Sequence, residues 1–150
     1  MTIHVGKVVA MEQTVKWNGK MSFVGNTPSG HQVLMDAAEE VGGENSGARP
    51  GELIINAVAG CTGIDTISIL KKMRLEPTSF QMHVKGERAE EHPKKYTKVH
   101  IHYVLEGDLP EDKVERAITL SQDKYCMVAH SLSAEVTASY TLNDSDEKNV

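Results

Sequence analysis

The dominant pattern in the chain is one apolar run, Leu53 to Leu70, in which small and aliphatic side chains prevail and Asn56 and Asp65 are the main polar interruptions. Pro50 sits just inside its first turn and Glu52 near the positive end of its dipole, while Lys71, Lys72 and Arg74 mark its end, with Pro77 just beyond. The pattern predicts a single helix of about 20 residues, near 30 Å long at about 1.5 Å per residue. It is apolar nearly all round, and one sheet face cannot cover such a helix. A second subunit is therefore expected over the remainder, in an obligate homodimer with the helix at its centre. Ala57, Ala59, Gly60 and Gly63 would let another backbone come close. The run also has about the length of a membrane span. Asn56 and Asp65 in its interior and Lys71-Lys72 at its end predict a buried soluble helix instead, with no membrane partner.

Alternation marks the strands. Val15-Lys16-Trp17, Asn18-Gly19 and Met21-Ser22-Phe23 read as a hairpin around a tight primed turn, and His31 to Met35 as a third strand after the turn at Pro28-Ser29-Gly30. The Gly-rich segment Val41 to Ala48 reads as a mobile loop entering the central helix. Beyond the helix, Phe80 to Val84 and Val99 to Leu105 alternate with period two and are expected to be antiparallel neighbours. Pro110-Glu111-Asp112 opens an amphipathic helix with Val114, Ala117, Ile118 and Ser121 on one face. Tyr125 to Leu132 reads as a short helix carrying Cys126, and Val136, Ala138, Tyr140 and Leu142 alternate in a last strand. The polar tail 143–150 is expected to fray. The sum is an α+β fold in a single domain spanning 1–150, with no internal repeat.

Composition narrows the function. With 39% hydrophobic and 25% charged residues, 150 residues suffice for one domain with a real core. The net charge is −5 and the basic residues are scattered, with Lys71-Lys72 and Lys94-Lys95 as doublets, so no basic face recommends a nucleic acid. Met1-Thr2-Ile3-His4-Val5 shows no signal-peptide pattern, and a reducing, cytoplasmic location is expected. The sequon Asn143-Asp144-Ser145 carries no meaning in that compartment.

The two cysteines, Cys61 and Cys126, form neither a disulfide framework nor a C-x-x-C metal motif. Two readings stay open: a thiol pair that forms and breaks one disulfide, or two cysteines that merely pack. Asp65, four residues after Cys61, would raise the thiol pKa, or would instead cap or hydrogen-bond at the dimer interface. His130 follows Cys126 by four, a spacing that on a helix shares a face and would let an imidazolium stabilise its thiolate. His100 and His102 share a strand face, but no third ligand stands at a fixed spacing, so no metal is expected.

Four segments together resemble the OsmC/Ohr family of osmotically inducible and organic hydroperoxide resistance proteins. They are Arg49-Pro50-Gly51-Glu52-Leu53 leading to Cys61, Ser68-Ile69-Leu70-Lys71-Lys72-Met73, Gly86-Glu87-Arg88-Ala89-Glu90-Glu91-His92-Pro93, and Lys124-Tyr125-Cys126. The resemblance runs from about Val15 to Tyr140. It implies an OsmC-like α+β fold, with antiparallel sheets around a long buried central helix in an intertwined homodimer, and an active site at each subunit interface. It further implies a thiol-dependent peroxidase without a bound cofactor. Cys61 would attack the peroxide, Cys126 would resolve the sulfenic acid as a disulfide, and an external dithiol reductant would restore the pair. An apolar pocket around Cys61 would favour organic hydroperoxides.

The chain departs from the family where the thiol is activated. Active members pair an early-loop arginine with a glutamate directly after the helix-opening proline; here that position is Gly51, and Arg49 is the first arginine in the chain. Glu52 lies one residue later, about 100° round the helix. Glu52, Arg49 and His130 are the supporting candidates, and Lys16 or Lys20 would supply positive charge without arginine's bidentate fork. Three functions follow: a cytoplasmic peroxidase in oxidative or osmotic stress defence, a non-catalytic carrier of a small hydrophobic ligand at the dimer interface, or a structural stress protein with inert cysteines.

Overall fold

The computed structural model describes residues 10–150, which form two compact units divided between Leu53 and Ile54. The opening residues Met1 to Val5 lie outside the described part.

In the first unit β1 (Thr14–Trp17), β2 (Phe23–Asn26) and β3 (Gln32–Met35) form an antiparallel meander. The hairpin closes later than the Asn-Gly pair suggests. Trp17 faces Phe23, Met21 and Ser22 belong to the connection, and Asn18 N–H donates to the Ser22 carbonyl at 2.8 Å. Both Gly19 (φ 90°) and Lys20 (φ 48°) take left-handed conformations inside this wider loop.

The segment expected to be mobile is pinned by Asp36. Its nearly buried carboxylate accepts from the backbone N–H groups of Ala37 (2.7 Å), Glu44 (3.1 Å) and Ser46 (3.0 Å) and from the Ser46 hydroxyl (2.6 Å). These bonds, led by the Ser46 hydroxyl, hold its pKa well below the usual carboxylate range. Glycine is needed here by close approach: a Cβ on Gly43 would stand 2.0 Å from the Ala37 carbonyl oxygen. Composition shows the flexibility of such a segment and not the acceptor that fastens it.

The second unit carries the main core. α1 (Pro50–Lys72) ends within two residues of the predicted stop. It buries one stripe, Val58, Thr62, Thr66 and Leu70, each four residues from the next, with Gly63 beside it. β4 (Ser79–Arg88) and β5 (Tyr96–Glu106) pair antiparallel as expected, with Met82 opposite Tyr103 and His83 opposite His102. The alternation in β5 is realised in full: Val99, Ile101, Tyr103 and Leu105 are completely buried. α2 (Glu111–Leu120) adds Val114, Ala117 and Ile118 to this core.

β6 (Glu135–Leu142) lies beside β5 in parallel, placing Ala138, Tyr140 and Leu142 level with Ile101, Tyr103 and Leu105. The main sheet is therefore mixed. A parallel neighbour needs a crossover, and α2 with the segment after it provides one. The tail does not fray: β7 (Lys148–Asn149) pairs with β6, and Lys148 makes an ion pair with Glu111. Asn143 starts the return by bonding Gly107 through both side-chain atoms, at 2.8 Å each.

Among the described residues, α1 also carries exposed apolar side chains. Ile64 is 74% and Ile67 39% exposed, and with Gly60, Gly63, Phe80 and Met82 they line an open apolar groove.

Candidate active site

Cys61 occupies a half-buried position on α1 beside the buried stripe. Asp65 follows one turn later on the same side, as i and i+4 must. Cys126 reaches this pair from the crossover. α2 passes at Leu120 into a wider, π-helical turn, Ser121–Tyr125, closed by Cys126 N–H to the Ser121 carbonyl at 2.8 Å. The chain then leaves helical geometry at Cys126 (φ −70°, ψ 96°), and α3 (Met127–His130) begins after it. The single helix expected over Tyr125 to Leu132 is thus two turns with Cys126 in the break. A sulfur at the N-terminal cap can accept from the helix, and the Cys126 Sγ accepts from Ala129 N–H at 3.5 Å.

The outcome is a triangle of donors. The Cys61 and Cys126 sulfurs and an Asp65 carboxylate oxygen all lie within 4.8 Å of one another. Both thiols are free, and Cys126 is wholly buried. Burial pushes the Cys126 thiol up to about 11; Ala129 N–H opposes the shift, while Cys61 and the Asp65 charge reinforce it. At neutral pH Cys126 is a protonated thiol. The sequence spacing predicts that the Asp65 charge acts on Cys61, four residues before it; the thiol it is seen to act on is Cys126.

A buried hydroxyl chain backs the triangle. The Ser121 hydroxyl donates to Asp65 Oδ2 at 3.1 Å and lies 2.9 Å from the Thr62 hydroxyl, which lies 2.5 Å from the Tyr103 hydroxyl. Gln122 Nε2 donates to Tyr103 at 2.9 Å, and Thr66 Oγ1 donates to the Thr62 carbonyl at 2.8 Å. Asp65 therefore bonds within its own chain. The sequence carried a signal for part of this network, since Ser121 falls on the apolar face of α2, where a polar group must find a partner. Thr62, Tyr103 and Gln122 had none.

The supporting candidates are placed otherwise. The Glu52 carboxylate accepts from Arg49 N–H at 2.8 Å, the reach-back half of a capping box at the start of α1. The Arg49 guanidinium donates to Asn45 Oδ1 at 2.8 Å and to the Gly47 carbonyl at 3.1 Å. Both residues belong to the first unit and both thiols to the second. Lys20 is ion-paired with Glu44, and Lys16 lies exposed on β1. The His130 ring is exposed, and only its backbone N–H is tied to Cys126, through the Cys126 carbonyl at 3.2 Å. His100 and His102 share a face as predicted, and both rings bond the buried Ser139 hydroxyl, at 2.9 and 2.7 Å.

The family model described as OsmC-like protein matches residues 43–141, a span that contains α1, the crossover and both thiols. The chain belongs to the OsmC-like protein family. A curated relative, Protein YhfA of Escherichia coli K12, is 37% identical over 135 residues, covering 87% of this chain and 96% of that protein. Among solved structures, a hypothetical protein from Aquifex aeolicus VF5 superposes on this OsmC-like chain with a TM-score of 0.79 at 30% identity, covering 91% and 98% of the two chains. An organic hydroperoxide resistance protein from Legionella pneumophila shares the fold at a TM-score of 0.64 and 13% identity, covering 91% and 98%. The α+β architecture, with its long helix against the main sheet, is that of the OsmC-like structures.

Proposed function

We propose that this OsmC-like protein is a cytoplasmic thiol peroxidase that reduces organic hydroperoxides. The observation that supports it most is the juxtaposition of two free thiols of unequal character, Cys61 half-buried and Cys126 buried and protonated. The Cys61 thiolate attacks the distal peroxide oxygen; the O–O bond breaks, the alcohol leaves with a proton, and Cys61 becomes a sulfenic acid. The Cys126 sulfur then attacks the Cys61 sulfur, forming the disulfide and releasing water, and an external dithiol reduces it by exchange. The apolar groove lined by Ile64, Ile67, Phe80 and Met82 supplies a surface that suits an alkyl group better than water. The hydroperoxide resistance protein from Legionella pneumophila, on the same fold, supports the substrate class.

The test is one equivalent of an organic hydroperoxide added to fully reduced protein. Both thiols should disappear together, with a mapped link between Cys61 and Cys126. Thiols that stay titratable, beside an intact hydroperoxide, would refute the peroxidase and favour a carrier of a small hydrophobic ligand. That second reading draws on the same groove and on the engagement of Arg49 and Glu52 in capping and loop contacts.

The working unit in this proposal is a homodimer. Among the described residues, Ile64 and Ile67 are exposed on α1, and Val15, Trp17, Phe23 and Leu34 are exposed in the first unit. That much uncovered apolar surface is unusual for a soluble monomer and points to a second copy. Light scattering at micromolar concentration should give twice the chain mass; a clean monomer would exclude the assembly.

A further inference from the structure

The peroxidase reading leaves Asp65 without a task. Its carboxylate oxygen nevertheless lies within 4.8 Å of both sulfurs, and the Ser121 hydroxyl holds it there at 3.1 Å. The placement makes sense if a cation occupies the triangle. We propose that Cys61, Cys126 and Asp65 form a binding site for a thiophilic divalent cation of the zinc class, which occupies the reduced protein and excludes the disulfide.

The donor set argues for this class. Two thiolates and a carboxylate suit zinc, which accepts sulfur and oxygen ligands tetrahedrally and, with three protein ligands, keeps a fourth position for water. Magnesium and calcium demand oxygen shells and gain nothing from sulfur. Zinc–sulfur bonds of about 2.3 Å put two sulfurs about 3.8 Å apart in a tetrahedron. The three donors already lie within 4.8 Å of one another, so the sulfurs need to close by no more than about 1 Å, estimated from those bond lengths. The spacing of Cys61 and Asp65 is set by one helical turn, and the π-helical turn delivers Cys126. The outer shell is also present: the Ser121 hydroxyl orients the Asp65 carboxylate, and Ala129 N–H bonds the Cys126 sulfur.

Binding displaces a proton from each coordinating group that carries one, and a dication turns the mutual repulsion of three anionic donors into attraction. The same sulfurs cannot hold a metal and a bond to each other. The site therefore has two exclusive states, metal-bound dithiolate and metal-free disulfide. When an organic hydroperoxide oxidises the pair, its O–O bond takes the two electrons and two protons from solvent to give an alcohol and water, the two sulfurs join, and the cation is released.

The test titrates reduced full-length protein with Cd2+, whose thiolate charge-transfer absorption reports sulfur ligation, and with Zn2+ in competition with a chromophoric chelator. Expected are one ion per chain, proton release on binding, and loss of the absorption in Cys61→Ser and Cys126→Ser. Asp65→Asn should weaken binding about tenfold or more while both thiols remain titratable. Protein oxidised beforehand to the disulfide should bind neither ion, a readout that needs no variant. The proposal is overturned by wild-type reduced protein that shows no stoichiometric absorption, or by an affinity that Asp65→Asn leaves unchanged. No peroxide enters these measurements, so a failure of the peroxidase reading and a failure of this one are told apart.

Discussion

Cys61→Ser is expected to lower organic hydroperoxide turnover by about a thousandfold or more, because a serine hydroxyl is far less acidic than a thiol and a far poorer nucleophile toward peroxide oxygen. Cys126→Ser should behave differently. The first step needs only Cys61, so a single turnover keeps its rate and a sulfenic acid accumulates on Cys61, where a nucleophilic trap can capture it. Steady turnover then falls to whatever rate the external dithiol reaches the sulfenic acid directly. In the wild type the pH dependence should divide the same way. Cys126 is held up at about 11, so the thiolate fraction available for resolution grows about tenfold per pH unit through the neutral range. Stopped-flow oxidation followed by mass spectrometry distinguishes the phases. Equal losses of the first phase in both variants would mean that Cys126 takes part in peroxide attack.

The largest expected loss of stability lies at Tyr103. Its ring is fully buried and stacks on Phe80 with centroids 6.1 Å apart, and its hydroxyl ends the chain through Thr62 to Ser121 and Asp65. Tyr103→Ala removes an aromatic side chain from the middle of β5 and should cost about 3–5 kcal/mol in urea unfolding. Tyr103→Phe keeps the ring and should cost only about 1 kcal/mol. Thr62 retains Ser121 as a partner, and Gln122 is the group left seeking one. If the phenylalanine variant lost as much as the alanine variant, the hydroxyl chain and not the packed ring would be the main support of this region.

The features read correctly from the sequence are those written in one segment. α1 announces itself through Pro50, Glu52 and the closing lysines, β5 through strict alternation, and α2 through Val114, Ala117 and Ile118. What periodicity cannot carry is the pairing of distant segments. Nothing in the alternation of Val136 to Leu142 says that this strand runs parallel to β5, and nothing in a polar tail says that Lys148 and Asn149 will pair with Ser139 and Tyr140. The thiols illustrate the same division. Each is visible as a residue, and the family resemblance suggests their meeting, but the break at Cys126 depends on a π-helical turn with no sequence signature of its own. Asp36 shows the converse error, a Gly-rich segment taken as loose that one buried carboxylate holds closed.

The parallel pairing of β5 and β6 also governs when the thiols meet during biosynthesis. Cys126 sits in the crossover between two strands whose register settles only after β6 has docked, and non-local pairing of this kind forms late because loop closure comes first. A chain emerging from its N-terminus exposes Cys61 well before its partner exists, and a ribosome must deliver the chain through β6 before the triangle can assemble. The nascent protein thus passes through a stage in which Cys61 stands without Cys126 beside it.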